Sequence, residues 1–340
     1  MTEGFTLVRP GRKAPALPEV DMTTKLGTFV APNPVFTASG CAAAGRELSQ
    51  FFDLTELGGV VTKSIMSRPR AGRPTPRMAE TPSGMLNSIG LQGPGLTQFL
   101  EHDLPWLTRQ GARPVVSIAG TSVEEYVQLA QRLRARAGVA MLEVNISCPN
   151  VEDRGQVFAC NPDAAARVIS AIREQAAPTV PIFAKLSPDV TDIVAVARSV
   201  VDAGAHGLSM INTLLGVVVD VDTMRPTLAG TTGGLSGPAI RPVAVRCVWQ
   251  VHAAMPEVPI LGMGGIRTGR DALEFVLAGA SAVSVGTAVF NDPAAPVRVL
   301  RELRQALADR GFARFRDAVG RAHHPQLPAV PEGPEPQEDS

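Results

Sequence analysis

The stretch MLEVNISCPN, from Met141 to Asn150, begins as an apolar run and ends in a group of reactive side chains. Asn145 and Asn150 carry amides that both donate and accept hydrogen bonds, and Cys148 carries a thiol. A thiol whose thiolate is supported by nearby dipoles removes a carbon-bound proton as a general base. The competing interpretation is an inert, half-buried cysteine, so the place of this segment in the fold decides between them.

Two lysines, Lys63 in VVTKSI and Lys185 in IFAKLS, interrupt apolar runs in which an unpaired charge is costly to bury. Each lysine could lie at the rim and reach solvent or a structural carboxylate. Each also fits a cation that stabilises negative charge developing on a bound cofactor or substrate. A third interpretation is a Schiff-base lysine, which makes a phosphate-binding aldolase a competing class of enzyme.

Amides and glycines stand at the ends of further runs. A single asparagine there usually caps a turn, but four around one opening would bind a planar ligand rich in N–H and C=O groups; the four are Asn87, Asn145, Asn150 and Asn212. The glycine turns GMGG (Gly262–Gly265) and VGTA (Val285–Ala288) follow the last two runs. Barrels bind phosphate at this place through backbone N–H groups, although tight turns need glycine in any case.

These residues converge if the apolar runs are strands of one closed sheet. β-branched apolar runs alternate with helical stretches, which predicts βα units and a parallel sheet; the eight runs are Val35–Gly40, Gly59–Ile65, Pro114–Gly120, Met141–Ser147, Pro181–Ser187, Gly207–Thr213, Pro259–Gly265 and Ala282–Ala288. Eight strands close a barrel whose active site lies at the C-terminal strand ends. We therefore predict an α/β fold, a (β/α)8 TIM barrel in a single domain with long βα loops over its C-terminal mouth.

The predicted helices begin at capping residues, and two connections are unusually long. The caps precede helical apolar periods and are Thr121-Ser122, Asn161-Pro162-Asp163, Thr191-Asp192 and Thr268. The connections from Met66 to about Leu100 and from Gly216 to Pro238 exceed the usual length, which is typical of lids or binding loops.

Composition excludes several classes of function. Lys+Arg and Asp+Glu both number 32, so no excess positive charge favours nucleic acid. No run reaches the roughly 18 apolar residues of a membrane span, and no signal peptide is apparent. Four cysteines without C-x-x-C spacing and five histidines without ligand spacing predict reduced thiols, no metal site and a cytoplasmic protein. We expect a barrel over residues 22–322, a flexible Pro/Arg-rich extension over 1–21 and a disordered Pro/Glu-rich tail over 323–340.

The motifs together resemble a known family over about Met22 to Pro293. They are ASGCAAAGRE, VTKS, PTPRMAETPSGMLNSIGLQGPG, EVNISCPNV, KLSPDVTDI, MINTLLGV, TTGGLSGPAIRP, PILGMGGI and AGASAVSVGTA. This set is similar to class 1, subtype B dihydroorotate dehydrogenase. The resemblance implies an FMN-containing barrel that oxidises dihydroorotate to orotate in pyrimidine biosynthesis, with the C5 proton passing to Cys148 and the C6 hydride to flavin N5. The alternatives are an FMN oxidoreductase of another pyrimidine or cyclic amide, and a flavin-binding subunit without turnover.

The resemblance also implies the site residues. FMN would be bound by Ser39, Lys63, Asn145, Lys185, Ile211, Gly237, Gly264, Gly265, Gly286 and Thr287. The substrate would be bound by Lys63, Asn87, Ser88, Ile89, Gly90, Leu91, Asn145, Asn150, Asn212 and Thr213. Lys185 would then serve the negative charge of the reduced flavin. One departure is Ser117, where the subtype usually has an asparagine that contacts the flavin; a serine hydroxyl is shorter and does not match the reach of an amide.

The subtype implies the path of the electrons. Quinone-linked members have a membrane-associating helical extension and a serine base, whereas this chain has a Pro-rich leader and Cys148. Subtype A members, which use fumarate, lack the MINT and GGLSG combination. Subtype B members pair with an FAD and 2Fe-2S electron-transfer subunit that reduces NAD, so the resemblance implies a homodimer core within a heterotetramer.

Overall fold

A barrel of short parallel strands forms the centre of the computed structural model, which describes residues 19–134, 136–147 and 161–324. The strands of the described residues, in chain order, are β1 (Thr24–Leu26), β2 (Phe29–Ala31), β3 (Val35–Thr37), β4 (Val60–Val61), β5 (Met78–Thr81), β6 (Gly84–Asn87), β7 (Pro114–Ile118), β8 (Met141–Asn145), β9 (Ile182–Lys185), β10 (Gly207–Met210), β11 (Leu214–Gly216), β12 (Val219–Asp220), β13 (Arg225–Pro226), β14 (Gly233–Ser236), β15 (Ile260–Met263) and β16 (Ala282–Val285).

Helices follow the barrel strands from β4 onward, whereas the connection between β3 and β4 contains two 3-10 turns, Leu48–Gln50 and Leu54–Glu56. Within the described ranges the helices are α1 (Gly95–Gln98), α2 (Leu104–Arg109), α3 (Val123–Arg134), α4 (Pro162–Gln175), α5 (Ile193–Asp202), α6 (Arg241–Ala254), α7 (Gly269–Leu277) and α8 (Ala295–Ala308). A π-helical turn, Phe99–Asp103, joins α1 to α2. The 3-10 turn Pro238–Ile240 leads directly into α6, and a second one, Thr287–Phe290, follows β16.

The parallel sheet has the order β3-β16-β15-β10-β9-β8-β7-β4. It closes where Phe36 of β3 forms a parallel bridge with Gly59, immediately before β4. Each of the eight predicted runs contains one of these strands, so the prediction of a (β/α)8 barrel is confirmed. The strands read as continuous apolar runs because one face packs inside the barrel and the other against helices.

The predicted helix caps are also confirmed. Asn161 accepts a hydrogen bond from the Ala164 N–H at 3.0 Å, ahead of α4. Asp192 accepts from two N–H groups at the start of α5. Thr268 and Asp271 form a reciprocal capping box at the start of α7. Each cap satisfies N–H groups that have no partner within their own helix, which fixes where each helix leaves the barrel rim.

A β-hairpin of β1 and β2 covers the N-terminal end of the barrel. Leu26 is fully buried in the interior cluster that contains Phe36, Met141 and Phe183. The Thr24 hydroxyl donates to the Ser281 carbonyl at 2.6 Å, immediately before β16. The hairpin therefore seals this end with apolar packing and with hydrogen bonds to the starts of barrel strands.

A second, antiparallel sheet of order β11-β14-β6-β5 lies at the opposite end. Strands β5, β6 and β14 come from the two long connections predicted to be binding loops, and β11 lies directly before the second connection. Gly234 of β14 pairs with Asn87 of β6. The two connections thus fold together and cover the C-terminal ends of the barrel strands. The small hairpin β12–β13 extends from the second connection.

The terminal segments are held against the folded body where the structure describes them. The Asp21 N–H donates to the Ala313 carbonyl at 3.0 Å, and the ring of His323 stacks on Trp249 of α6 with 3.7 Å between centroids. Most of the predicted extension and tail lies outside the described residues, so their boundaries stay predictions. Among residues 19–134, 136–147 and 161–324, we find no helix long and apolar enough to span a bilayer.

Candidate active site

A cavity of about 650 Å³ opens between the C-terminal ends of the barrel strands and the antiparallel sheet. All ten residues expected to bind a cofactor line it: Ser39, Lys63, Asn145, Lys185, Ile211, Gly237, Gly264, Gly265, Gly286 and Thr287. The barrel brings these residues together from separate strands because their C-terminal ends meet at one mouth. Their contacts with a ligand stay predictions.

Most residues expected to bind substrate line the same cavity. They are Lys63, Asn87, Ile89, Gly90, Leu91, Asn145, Asn212 and Thr213. Ser88 does not line it: its side chain is buried, and its hydroxyl has no hydrogen-bond partner among the described residues. Cys148 and Asn150 lie outside the described residues, so their roles stay predictions. Ser147, the last described residue before them, is buried at the end of β8.

Asn145 is held at the rim through both ends of its amide. Its Nδ2 donates to the Ser64 Oγ at 3.1 Å, while its Oδ1 accepts from the Ser147 hydroxyl at 3.1 Å. The Tyr126 hydroxyl donates to the Asn145 carbonyl at 2.7 Å and supports the backbone from α3. The amide orientation is therefore set before any ligand arrives, which is the preorganisation that a binding site needs.

Asn212 is coupled to the same network from the end of β10. Its Nδ2 donates to the Ser147 Oγ at 2.7 Å, and its Oδ1 accepts from the Thr213 N–H at 2.9 Å. Ser147 thus connects two of the four amides that were predicted to contact substrate. Across the cavity, the Asn87 Nδ2 donates to the Gly234 carbonyl at 3.3 Å, which orients a third amide through the antiparallel sheet.

Ser117 acts on the site indirectly. Its side chain is fully buried on β7, and its Oγ lies 2.9 Å from the Ser64 Oγ, which in turn accepts from Asn145. Ser117 is not among the residues that line the cavity. The Ser117 hydroxyl therefore contributes to a chain of hydroxyls that holds Asn145. This agrees with the expectation that a serine does not reach the flavin as the usual asparagine would.

The two lysines line the cavity from separate strands, since β7 and β8 lie between β4 and β9 in the sheet. Lys185 is buried at the end of β9; its Nζ lies 2.9 Å from the Ser39 Oγ and 3.7 Å from the Glu143 Oε1. Lys63 lines the cavity beyond β4, and its N–H donates to the Ala43 carbonyl at 2.8 Å. Lys185 agrees with two of the interpretations of its sequence: it lies beside a structural carboxylate, and it also lines the cavity where a ligand would bind.

Cys41 also lines the cavity. Burial raises the pKa of its thiol to about 11, and the positive charges of Lys185 and Lys63 offset only part of that rise. A thiol with this pKa stays protonated at neutral pH and is not a base. Cys41 is therefore not a candidate for the general base.

Glycine turns form the part of the cavity wall that follows β14, β15 and β16. Gly265 has a φ of +78°, and a Cβ there would lie 2.7 Å from the Gly237 carbonyl oxygen and 2.9 Å from the Arg241 Cβ. A side chain would therefore both strain the backbone and collide with the neighbouring turn. The Thr287 hydroxyl donates to the Ser236 Oγ at 2.8 Å and ties the turn after β16 to the sheet.

The comparison with protein families agrees with the motifs. A family model described as dihydroorotate dehydrogenase matches residues 22–307. The chain belongs to the dihydroorotate dehydrogenase family. The predicted resemblance is confirmed at this level, and the matched region contains the whole cavity wall described above.

Curated relatives within the dihydroorotate dehydrogenase family resemble the chain over most of its length. A protein of Geobacter sp. (strain M21) is 48% identical over 300 residues, which cover 88% of this chain and 97% of the relative. A protein of Geobacillus kaustophilus (strain HTA426) is 50% identical over 290 residues, which cover 85% and 92%. Both are named dihydroorotate dehydrogenase B (NAD(+)), catalytic subunit.

Three contributors to the candidate site were not predicted from the sequence. Ser64 and Ser147 orient the amide of Asn145, and Glu143 lies beside Lys185. The two serines carry no signal, since isolated hydroxyls are common at strand ends. Glu143 does carry one, because it is a charge in the apolar run MLEV, as Lys63 and Lys185 are in theirs.

Proposed function

We propose that the protein oxidises (S)-dihydroorotate to orotate in pyrimidine biosynthesis, using FMN bound at the barrel mouth. The observation that carries this proposal is the single cavity wall that combines lysines, oriented amides and glycine turns within a chain of the dihydroorotate dehydrogenase family. The cavity volume of about 650 Å³ lies in the range of cofactor and small-ligand sites.

The residues present fit an FMN. Gly264, Gly265 and Gly286 line the cavity after β15 and β16, where barrels bind phosphate through backbone N–H groups. Lys185 and Lys63 supply positive charge toward the cavity, and Asn145 supplies an oriented amide. When bound, the flavin supplies the two-electron acceptor that takes the C6 hydride. The residues that would hold it are Ser39, Lys63, Asn145, Lys185, Ile211, Gly237, Gly264, Gly265, Gly286 and Thr287.

The oriented amides suit the substrate. Dihydroorotate is a cyclic amide with alternating N–H and C=O groups and a carboxylate, so it needs both donors and acceptors. Asn87, Asn145 and Asn212 supply them from fixed side chains, while Lys63 supplies a positive charge. The complete proposed set is Lys63, Asn87, Ser88, Ile89, Gly90, Leu91, Asn145, Asn150, Asn212 and Thr213.

Cys148 is the proposed general base. The C5–H bond breaks, its proton passes to the Cys148 Sγ, the hydride leaves C6, and the C5=C6 double bond forms. Ser147 directly precedes Cys148 in the chain. Its hydrogen bonds to Asn145 and Asn212 fix the position of Ser147 at the cavity. A positioned base of this kind contributes about 10²–10⁴-fold to the rate.

The electrons leave through a partner, as the names of the relatives suggest. Those names specify NAD(+) and a catalytic subunit, which implies a further subunit in the relatives. We extend this to an FAD and 2Fe-2S subunit acting in the cytoplasm, with a homodimer of this chain at the core of a heterotetramer. Adding such a subunit should enable dihydroorotate-dependent reduction of NAD, whereas the chain alone should reduce NAD slowly.

A substrate panel separates the proposal from its alternatives. The purified protein should be yellow, and heat should release FMN that is identified by its mass. Under anaerobic conditions dihydroorotate should bleach the flavin faster than dihydrouracil, dihydrothymine or hydantoin. Faster bleaching by one of the others would favour an oxidoreductase of another cyclic amide. Bound FMN that none of them bleaches would favour a flavin-binding subunit without turnover.

A further inference from the structure

Glu143 is a buried carboxylate directly below the cavity. Its side chain is fully buried on β8, two residues before Asn145, and therefore points into the barrel on the same face. Neither carboxylate oxygen has a hydrogen-bond partner among the described residues. The charge nearest to it there is the Lys185 ammonium, with Nζ 3.7 Å from Oε1.

This pair is poorly built for stability. The separation of 3.7 Å exceeds a charge-assisted hydrogen bond, and the Lys185 Nζ makes its close contact of 2.9 Å with the Ser39 hydroxyl instead. A buried ion pair stabilises a fold only when its remaining donors and acceptors are satisfied, and apolar replacements are often as stable. The hydroxyls of Ser209 and Ser284, on β10 and β16, are likewise unpartnered within the described residues.

The position of the pair suggests an electrostatic role at the mouth. Lys185 lines the cavity, whereas Glu143 lies behind it and does not. In a low-dielectric interior, a carboxylate at 3.7 Å offsets much of the field that the ammonium projects forward. The strength of the positive charge felt by a ligand in the cavity is therefore set by both residues.

We infer that Glu143 is a positioning residue that moderates the charge of Lys185 and so holds the reduction potential of the bound flavin down. This inference rests on the proposed function, because it requires FMN in the cavity. Lys185 favours negative charge on the flavin, and Glu143 limits that preference so that electrons can be passed on. Both effects belong to side chains that the barrel fixes in place.

The first test is the midpoint potential of FMN bound to Glu143→Gln, measured by spectroelectrochemistry without substrate. Glutamine has the same shape and no charge, so Lys185 acts undiminished. We expect the reduced form to be favoured at least tenfold over wild type, which is a rise of about 30 mV for a two-electron couple. Ser209→Ala is the matched control, since it removes a buried, unpartnered hydroxyl without a change in charge, and should leave the potential unchanged. An unchanged or lowered potential in Glu143→Gln would overturn the inference.

A double-mutant cycle tests whether Glu143 acts through Lys185. Lys185→Met should lower the potential. Adding Glu143→Gln to that variant should change the potential little, because Glu143 would then have no Lys185 ammonium whose charge it could offset. An equal rise in both backgrounds would show that Glu143 acts on the flavin without Lys185, and the inference would fail.

A conservative variant keeps the inference testable if Glu143→Gln does not retain FMN. Glu143→Asp keeps the charge but withdraws it by one methylene, so its potential should rise by less than in Glu143→Gln and still exceed that of wild type. If Glu143→Asp no longer contacts Lys185 and its FMN still has the wild-type potential, the inference is contradicted. Wild-type protein that cannot bind FMN would remove the proposed function as well, whereas FMN-bound variants without any shift would remove only the role of Glu143.

Discussion

At the N-terminal end of the barrel, the Thr24 hydroxyl donates to the Ser281 carbonyl at 2.6 Å, and the Ile182 N–H donates to the His206 Nδ1 at 3.0 Å. At the C-terminal end, Glu143 has no hydrogen bond among the described residues, and Lys185 is buried against the cavity wall. The two ends of the same strands therefore differ in how their polar and charged groups are accommodated. Hydrogen bonds and apolar packing seal one end, while costly buried charge is kept at the other, where chemistry would use it.

This difference predicts that substitutions at the two ends affect different measurements. Changes at the mouth should alter rates or potentials and leave the free energy of unfolding close to that of wild type. Changes at the sealed end should lower the free energy of unfolding and leave the activity of the folded fraction intact. A substitution at the sealed end that slows chemistry in fully folded protein would contradict the division.

The largest effect is expected from Cys148→Ala. Loss of the general base should slow anaerobic flavin reduction by dihydroorotate roughly 10²–10⁴-fold in stopped-flow measurements, with FMN retained. Cys247→Ala is the matched control, because Cys247 is buried on α6 and burial raises the pKa of its thiol. The control should reduce at the wild-type rate, and an equal rate in Cys148→Ala would exclude Cys148 as the base.

The next effect is on stability. Leu26→Ala should lower the free energy of unfolding by about 2–5 kcal/mol in denaturant titrations, since Leu26 is fully buried where the hairpin enters the barrel. Val30→Ala, in the same hairpin but 58% exposed, should cost less than about 0.5 kcal/mol. Similar losses for both variants would mean that the hairpin does not pack as described.

A smaller effect is expected from Thr24→Val. The change keeps the shape but removes the donor to the Ser281 carbonyl, so the free energy of unfolding should fall by about 1 kcal/mol. Thr23→Val, at an exposed neighbouring position, serves as the control. Flavin reduction by folded Thr24→Val should match wild type, and a slower rate would connect the sealed end to the chemistry.

The smallest effect concerns pH. Burial, together with the charge of Arg173, lowers the pKa of His206 below its ordinary value of about 6.5, and the Nδ1 that accepts from Ile182 must stay unprotonated. The native state binds fewer protons than the unfolded chain, so this stabilisation is full above pH 6.5 and is lost as the pH falls through the native pKa. His206→Gln, whose Oε1 can accept the same bond, should flatten the fall in Tm between pH 7 and pH 5. Some dependence should remain, because burial also lowers the pKa of His252.

The barrel itself could be predicted from the sequence, because its strands are continuous apolar runs with capped helices between them. The hairpin β1–β2 was missed, since strands of three residues do not show a clear period. The antiparallel sheet was predicted only as two long loops, because Asn87 and Gly234 are 147 residues apart and their pairing leaves no local pattern. The antiparallel sheet forms through tertiary contacts, which local sequence patterns do not encode.

Within the site, the residues at strand ends could be predicted because a closed barrel brings all such ends to one mouth. The residues behind them could not. Ser64 and Ser147 act through hydrogen bonds to Asn145, and those bonds depend on side-chain positions that only the assembled barrel specifies. Glu143 was visible as a charge in an apolar run, but its proximity to Lys185 requires the register of β8 with β9.

The most direct test of the central claim is an anaerobic titration of the FMN-loaded wild-type chain with dihydroorotate. If the mouth oxidises dihydroorotate, each equivalent should bleach one equivalent of FMN and yield one equivalent of orotate, measured by flavin absorbance and by chromatography. FMN that stays oxidised in excess dihydroorotate, in protein shown to be folded, would contradict the claim.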